Sequence, residues 1–258
     1  YYALRFRENP TVRLAIVIGL LVGFITLIRP VNVLVVLFLP MLFTSWSIFW
    51  KFFTEKILNW KIVASTLLAS GAVVSLQLFV YKAQIGQWFI YAYSQERFYF
   101  LDPHMFDFLF SFRKGFFVYT PIFILSVLGL YSWYKKSKFQ ALWWLGTFVL
   151  ITYIFSSWHM WWYGGTYGTR VFIEYYLFFA LPLALWLTQL RGVTLKIVMT
   201  IACLFIFNNV LQQYQYRKGI LHYEAMTWIC TRIYSCILLF RSSLFKTHLF
   251  ISYFYPKG

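Results

Sequence analysis

The sequence predicts an all-α fold, a polytopic transmembrane helical bundle of about seven spans. Three observations predict it. The 258 residues are 61% hydrophobic with a mean hydropathy of +0.68, which excludes an ordinary soluble domain. Apolar runs of about 20 residues, the length that crosses a bilayer core, recur along the chain. Lysines and arginines gather at the ends of those runs rather than within them.

The elements follow in order. Residues 11–29 form the first apolar run, entered past Arg5, Arg7 and Arg13. Pro30 ends it, because proline has no N–H and clashes with the preceding turn. The second run, 31–50, carries Pro40 and should be interrupted there. The remaining five are 62–83, 116–134, 139–157, 172–190 and 195–212. An interfacial helix or eighth span around 233–254 stays open, since the chain after Thr227 shows no clean period. The expected division is a transmembrane domain over 1–224 and a C-terminal tail over 225–258.

The cations orient the bundle. Arg5, Arg7 and Arg13, then Lys51, Lys56 and Lys61, then Lys135, Lys136 and Lys138, then Arg191 and Lys196 occupy one set of ends. Those short basic ends read as cytoplasmic, with the N-terminus inside. The opposite, outer ends carry 84–115, 158–171 and the segment from 213 onward. Of the seven acidic residues, Glu96, Asp102, Asp107 and Glu224 fall in these outer segments, and Glu174 lies just inside the membrane. His104, His159 and His222 join them, so the polar chemistry collects on one face.

Lys and Arg total 23 against 7 Asp and Glu, a formal charge of +16. In a soluble chain this would suggest nucleic acid, but no basic soluble domain is present. Membrane topology and anionic headgroups account for the charge better. Aromatics reach 24%, more than helix packing needs, which points to interfacial belts and a ring-lined pocket. Cys203 lies in an apolar run and reads as packing. Cys230 and Cys236 have no second pair, which argues against zinc and leaves a disulfide open.

Trp158 to Arg170 is the richest segment. It joins five aromatic rings, Gly164, Gly165, Gly168 and Arg170 in one short outer loop. The plain reading of the rings is an aromatic belt with a tight turn. The glycines and arginine point further, to bare backbone and a cation suited to a lipid-linked sugar phosphate. Trp161, Trp162, Tyr163, Gly164, Gly165, Tyr167 and Gly168 would line that substrate. Glu174 follows Arg170 by four residues, so an α-helix would place it to orient the guanidinium. Arg113, Lys114 and Arg29 stand at outer ends, against the positive-inside bias, either snorkelling to headgroups or binding a phosphate. Glu96 and Asp102, in an outer segment rich in rings, are the candidates to face an acceptor, with Asp102-Pro103-His104 a weak candidate for a base or metal ligand.

Three stretches taken together resemble a family. They are Gly19…Ile28-Arg29-Pro30, Phe110-Ser111-Phe112-Arg113-Lys114-Gly115-Phe116-Phe117-Val118-Tyr119-Thr120-Pro121, and Trp161-Trp162-Tyr163-Gly164-Gly165-Thr166-Tyr167-Gly168-Thr169-Arg170. Over about residues 11–224 they are similar, in order, to bacterial GT-C membrane glycosyltransferases, the superfamily of the dolichyl-phosphate-mannose protein mannosyltransferases and the lipid A aminoarabinose transferase. The resemblance implies an integral enzyme of the bacterial inner membrane that works on its outer face in cell-envelope glycan or glycolipid assembly. It would move a sugar from a polyprenyl-phosphate donor to a lipid or glycan acceptor. The family's catalytic carboxylate lies in the first outer loop, and no acidic pair stands between Arg29 and Asn32. The chain is therefore expected to correspond to the C-terminal part of such an enzyme, without that carboxylate. No cofactor is required by this reading beyond a divalent metal left open, and no metal ligands are assigned. A lipid or sugar transporter of the flippase kind, or an accessory membrane subunit, is the alternative. A transporter should place ionisable groups near the bilayer midplane, whereas here they sit at one surface.

Overall fold

The computed structural model describes residues 1–90 and 96–219, and the tail with His222, Glu224, Cys230 and Cys236 lies outside them, as do Tyr91 and Tyr93. The regular elements among the described residues are all helical, apart from an isolated antiparallel bridge between Phe98 and Trp158. Helices α1 (Tyr2–Glu8) and α2 (Val12–Ile28) lead into a 3-10 stretch, Pro30–Leu42. Then come α3 (Trp46–Phe52), a π turn over Phe53–Ile57 and α4 (Trp60–Ile85). After the connecting segment, α5 (Met105–Phe110) and α6 (Phe116–Tyr119) precede α7 (Ile122–Lys136) and α8 (Lys138–Ser156). A second 3-10 stretch, Arg170–Tyr175, runs into α9 (Tyr176–Phe179) and α10 (Leu181–Leu187), and α11 (Gly192–Arg217) follows.

Among the described residues, four stretches are long and apolar enough to cross a membrane: Trp60–Ile85, Lys138–Ser156, Arg170–Leu187 and Gly192–Arg217. A fifth forms if Pro30–Leu42 and Trp46–Ile57, which meet at 113°, are one broken span. The break falls where the sequence asks for it. Pro40 removes a donor inside the run, and Ser45 caps the next helix by accepting from the Ile48 N–H. The expected run over 116–134 is likewise divided into α6 and α7 at Thr120-Pro121, again because proline cannot continue the preceding helix. The 17-residue α2 rises about 25 Å at 1.5 Å per residue, somewhat less than a bilayer core.

Packing follows side-chain size. Gly19 and Gly23 bring α2 against α4 so closely that an added Cβ at Gly19 would meet the Thr66 carbonyl oxygen at 2.5 Å. A Cβ at Gly23 would meet Val73 at 2.8 Å. These are the small-xxx-small spacings that let helix backbones touch. Gly129 does the same for α7 against Pro182 of α10. The main core is aromatic and centres on Phe116, Phe148, Phe172 and Phe179, with Trp144 capped by a hydrogen bond from its Nε1 to the Phe178 carbonyl at 2.8 Å. Outward faces of α4 and α11 stay apolar and bare, including Leu68, Phe79, Leu204 and Phe207, as lipid-facing helices require. Cys203 belongs to that exposed face of α11 rather than to the packed interior.

The contacts sort the chain into two ends. At one, Gln140 Nε2 donates to the Met41 carbonyl, Arg7 donates to the Leu42 carbonyl, and Trp46 stacks near Trp143. At the other, the Arg29 end of α2 meets Glu174, and the 158–169 loop meets the segments before α5 and α6. Gly19→Leu and Gly23→Leu are each expected to force α2 from α4 at a cost of about 1–3 kcal/mol. Gly71→Leu, with nothing within 4 Å of its added Cβ, is the control. Thermal unfolding of the purified protein reads the difference, and equal melting of all three variants would mean the glycine contact does not hold the pair.

Candidate functional site

Gathered at the second end are the stretches that the sequence singles out separately. The 158–169 loop turns on three left-handed residues. Gly164 has φ 68° and Gly168 has φ 57°, while Tyr163, at φ 53°, is the non-glycine residue with positive φ among those described. A bulky residue held there is strained, and strain of this kind persists where surrounding contacts over-determine it. Tyr163 is so held: its hydroxyl donates to the Phe155 carbonyl at 3.0 Å, and its N–H donates to the Met160 carbonyl at 2.7 Å. At Gly168 a side chain is excluded for a second reason, because a Cβ would meet Tyr119 at 3.0 Å.

The loop lies directly on 110–121. The Thr169 hydroxyl donates to the Lys114 carbonyl at 2.5 Å, and the Lys114 ammonium donates to the Thr166 carbonyl. The Arg113 guanidinium sits over the Trp162 ring, 3.7 Å from its centroid, a close cation–π contact. Gly115 permits the turn that presents both cations, since a Cβ would strike the Ser111 backbone at 2.5 Å. From α11, Gln212 Oε1 accepts the Tyr167 hydroxyl at 3.0 Å, and the Tyr216 hydroxyl donates to the Gly165 carbonyl at 3.1 Å. Asn209 donates to the Tyr119 carbonyl. These α11 amides are site-building residues that sequence reasoning missed. Their signal was the polar run Asn208, Asn209, Gln212, Gln213 and Gln215 at the end of an otherwise apolar span.

One expected pairing is corrected. Glu174 does not orient Arg170; it pairs with Arg29, Nη1 to Oε1 at 2.7 Å. The reason is local geometry. Arg170–Tyr175 winds as a 3-10 helix, where residues three apart share a face and residues four apart do not. Arg170 stays exposed, with no ion pair or hydrogen bond from its guanidinium among the described residues. Arg170 and Arg29 both act on Tyr163: their positive charges partly offset the burial that pushes its phenol well above the usual tyrosine range. Arg29, Arg113 and Arg170 thus gather with Trp162, Tyr163 and Glu174 into one cationic, ring-lined surface, while Lys114 is buried with its ammonium on the Thr166 carbonyl. Asn32 Oδ1 and Thr166 Oγ1 are buried without hydrogen-bond partners among the described residues.

Compared with protein-family models, curated proteins and solved structures, the chain matches none of them. Its function is therefore argued from the site alone.

A second feature flanks the loop on its α8 side. Tyr99, Asp102, His104, Ser157, Trp158 and His159 enclose a cavity of about 190 Å³. Asp102 lines it, whereas Glu96, the other acidic candidate, is not among the lining residues. His104 Nδ1 lies 3.5 Å from Asp107 Oδ2. Among the described residues no three His, Cys, Asp or Glu side chains are placed to hold a metal ion.

Two outcomes are expected. The Arg29–Glu174 pair is over a third exposed on both sides, so a double-mutant cycle should give a coupling under ~1 kcal/mol, weakening further in salt. Tyr167→Phe removes the hydrogen bond to the half-buried Gln212 Oε1 and should lower stability by about 0.5–1.5 kcal/mol in a denaturation series.

Proposed function

We propose that the chain is part of a membrane glycosyltransferase that takes a sugar from a polyprenyl-phosphate donor and passes it to a lipid or glycan acceptor. The observation that carries this reading is the convergence of Arg29, Arg113, Lys114 and Arg170 with Trp162 and Tyr163 at one end of the bundle. The leaving group of such a transfer is a lipid phosphate, whose growing negative charge is stabilised by cations held in place beforehand. Arg170 is available to bind it, and the Trp162 ring fixes the Arg113 plane. Rings around the glycine turn offer flat faces to the sugar or the first prenyl units.

In the same reading the bundle has about seven spans with its N-terminus in the cytoplasm of a bacterium, and the cationic surface faces outward from the inner membrane. The opposite end carries Arg7, Lys135, Lys136 and Lys138 beside a ring cluster of its own, Trp46, Phe49, Phe139 and Trp143, so the orientation rests on the sidedness of the cations. Asp102 stands on the acceptor side in this reading. A transporter is disfavoured because charged side chains keep to the helix ends, none lying midway along α4, α8 or α11.

Arg170→Ala in the full-length protein should lower sugar transfer by about 10- to 100-fold, the value of a charge-assisted hydrogen bond to phosphate. Arg170→Lys should recover only part, since a point charge replaces a planar fork. Unchanged transfer in the alanine variant, measured with a radiolabelled polyprenyl-phosphate sugar, would overturn the assignment.

A further inference from the structure

We propose that the cavity bounded by Tyr99, Asp102, His104, Ser157, Trp158 and His159 binds one pyranose unit of a neutral carbohydrate. The proposal rests on the glycosyl-transfer reading only in making that unit part of the acceptor.

The cavity is a built site. Its walls are two chain segments laced together by backbone hydrogen bonds. The Tyr99 N–H donates to the Ser157 carbonyl at 2.6 Å, the His159 N–H to the Arg97 carbonyl at 3.1 Å, and the His104 N–H to the Ser156 carbonyl at 3.1 Å. The Phe98–Trp158 bridge runs between them, with the two rings edge to face at 4.7 Å. Tyr153 fastens the outer side, its hydroxyl donating to the Phe100 carbonyl at 2.7 Å. A turn closed by the Asp102 N–H on the Tyr99 carbonyl brings the carboxylate back to the rim. His104 lies nearly parallel to Trp161, 5.9 Å between ring centres, which steadies the imidazole.

The lining selects its ligand by elimination. An anion is disfavoured, because Asp102 faces the space and Asp107 stands beside His104. Arg97 is not among the lining residues, its guanidinium donating to the Tyr99 hydroxyl at 3.1 Å. A metal ion lacks its ligand set among the described residues. A purely apolar group would leave His159 Nδ1 buried and without a partner. A hydroxyl-bearing ring donates to the Asp102 carboxylate, pairs with His159 Nδ1, and lays a C–H face against an aromatic side chain. At about 190 Å³ the space takes one such ring.

The test uses the protein in nanodiscs with methyl α-mannopyranoside and methyl β-glucopyranoside as probes, followed by saturation-transfer NMR and calorimetry. At least one glycoside should bind saturably. Asp102→Asn, which keeps shape, and His159→Phe, which removes the unpaired nitrogen, should each weaken it about 10-fold, the worth of one lost hydrogen bond to a charged or buried partner. Leu68→Ala, on the bare outer face of α4, should leave glycoside binding unchanged and serves as the folding control. Saturation by neither glycoside, or wild-type affinity in both cavity variants, overturns the proposal. Polyprenyl phosphate binding measured in parallel separates the two ideas: its retention while glycosides fail to bind overturns the cavity alone. Glycoside binding that depends on Asp102 and His159, with lipid-phosphate binding indifferent to Arg170, upholds the cavity and overturns the phosphate surface.

Discussion

The aromatic cluster around Phe172 is the constraint on which the rest of the site depends. Phe172 is fully buried and meets Phe108 at 5.0 Å, Phe116 at 4.8 Å and Phe179 at 5.0 Å, with Phe148 and Phe155 just beyond. The partners come from four different elements: α5, α6 and α9, with Phe148 and Phe155 both on α8. Because Phe172 follows Arg170 by two residues and Phe116 follows Lys114 by two, anchoring the rings also anchors the cations. Close-packed rings have few alternative arrangements, so the charged groups above them inherit a narrow set of positions. The surplus of aromatic residues is thus partly structural: it substitutes ring contacts for polar ones beneath a surface that must stay charged.

Much of this was legible in the sequence. Length and hydropathy of 62–83, 139–157 and 195–212 predict helices that the structure places over Trp60–Ile85, Lys138–Ser156 and Gly192–Arg217. Pro40 and Pro121 mark real breaks. Of the glycines, Gly19 and Gly23 announce a close helix contact by spacing alone, and the structure supplies Thr66 and Val73 as what they touch. Grouping Trp158–Arg170 with Arg113 and Lys114 was a matter of shared sidedness, and the fold adds direct contact.

The rest was not legible, for identifiable reasons. Pairing Glu174 with Arg170 assumed α-helical spacing in a stretch rich in β-branched and aromatic residues, which winds more tightly instead. The true partner, Arg29, is 145 residues away, and no local rule reaches that far. The cavity depends on a short antiparallel register between 97–104 and 156–159, built from residues with no strand-like alternation. The role of Tyr167 as the anchor of α11 similarly depends on which face Asn209 and Gln212 present, something only the packing of α11 decides.

The 158–169 loop has one property that the contacts above imply. One flank of it lines the cavity through Trp158 and His159, and the other carries Trp162 and meets Lys114 through Thr166. Both surfaces are therefore written on a single covalent segment of a dozen residues, pinned by a strained tyrosine. Helices in a bilayer tilt and slide as its thickness changes. A separation set within one loop does not follow those motions, so the spacing between the two surfaces is insulated from the mechanical state of the membrane around it.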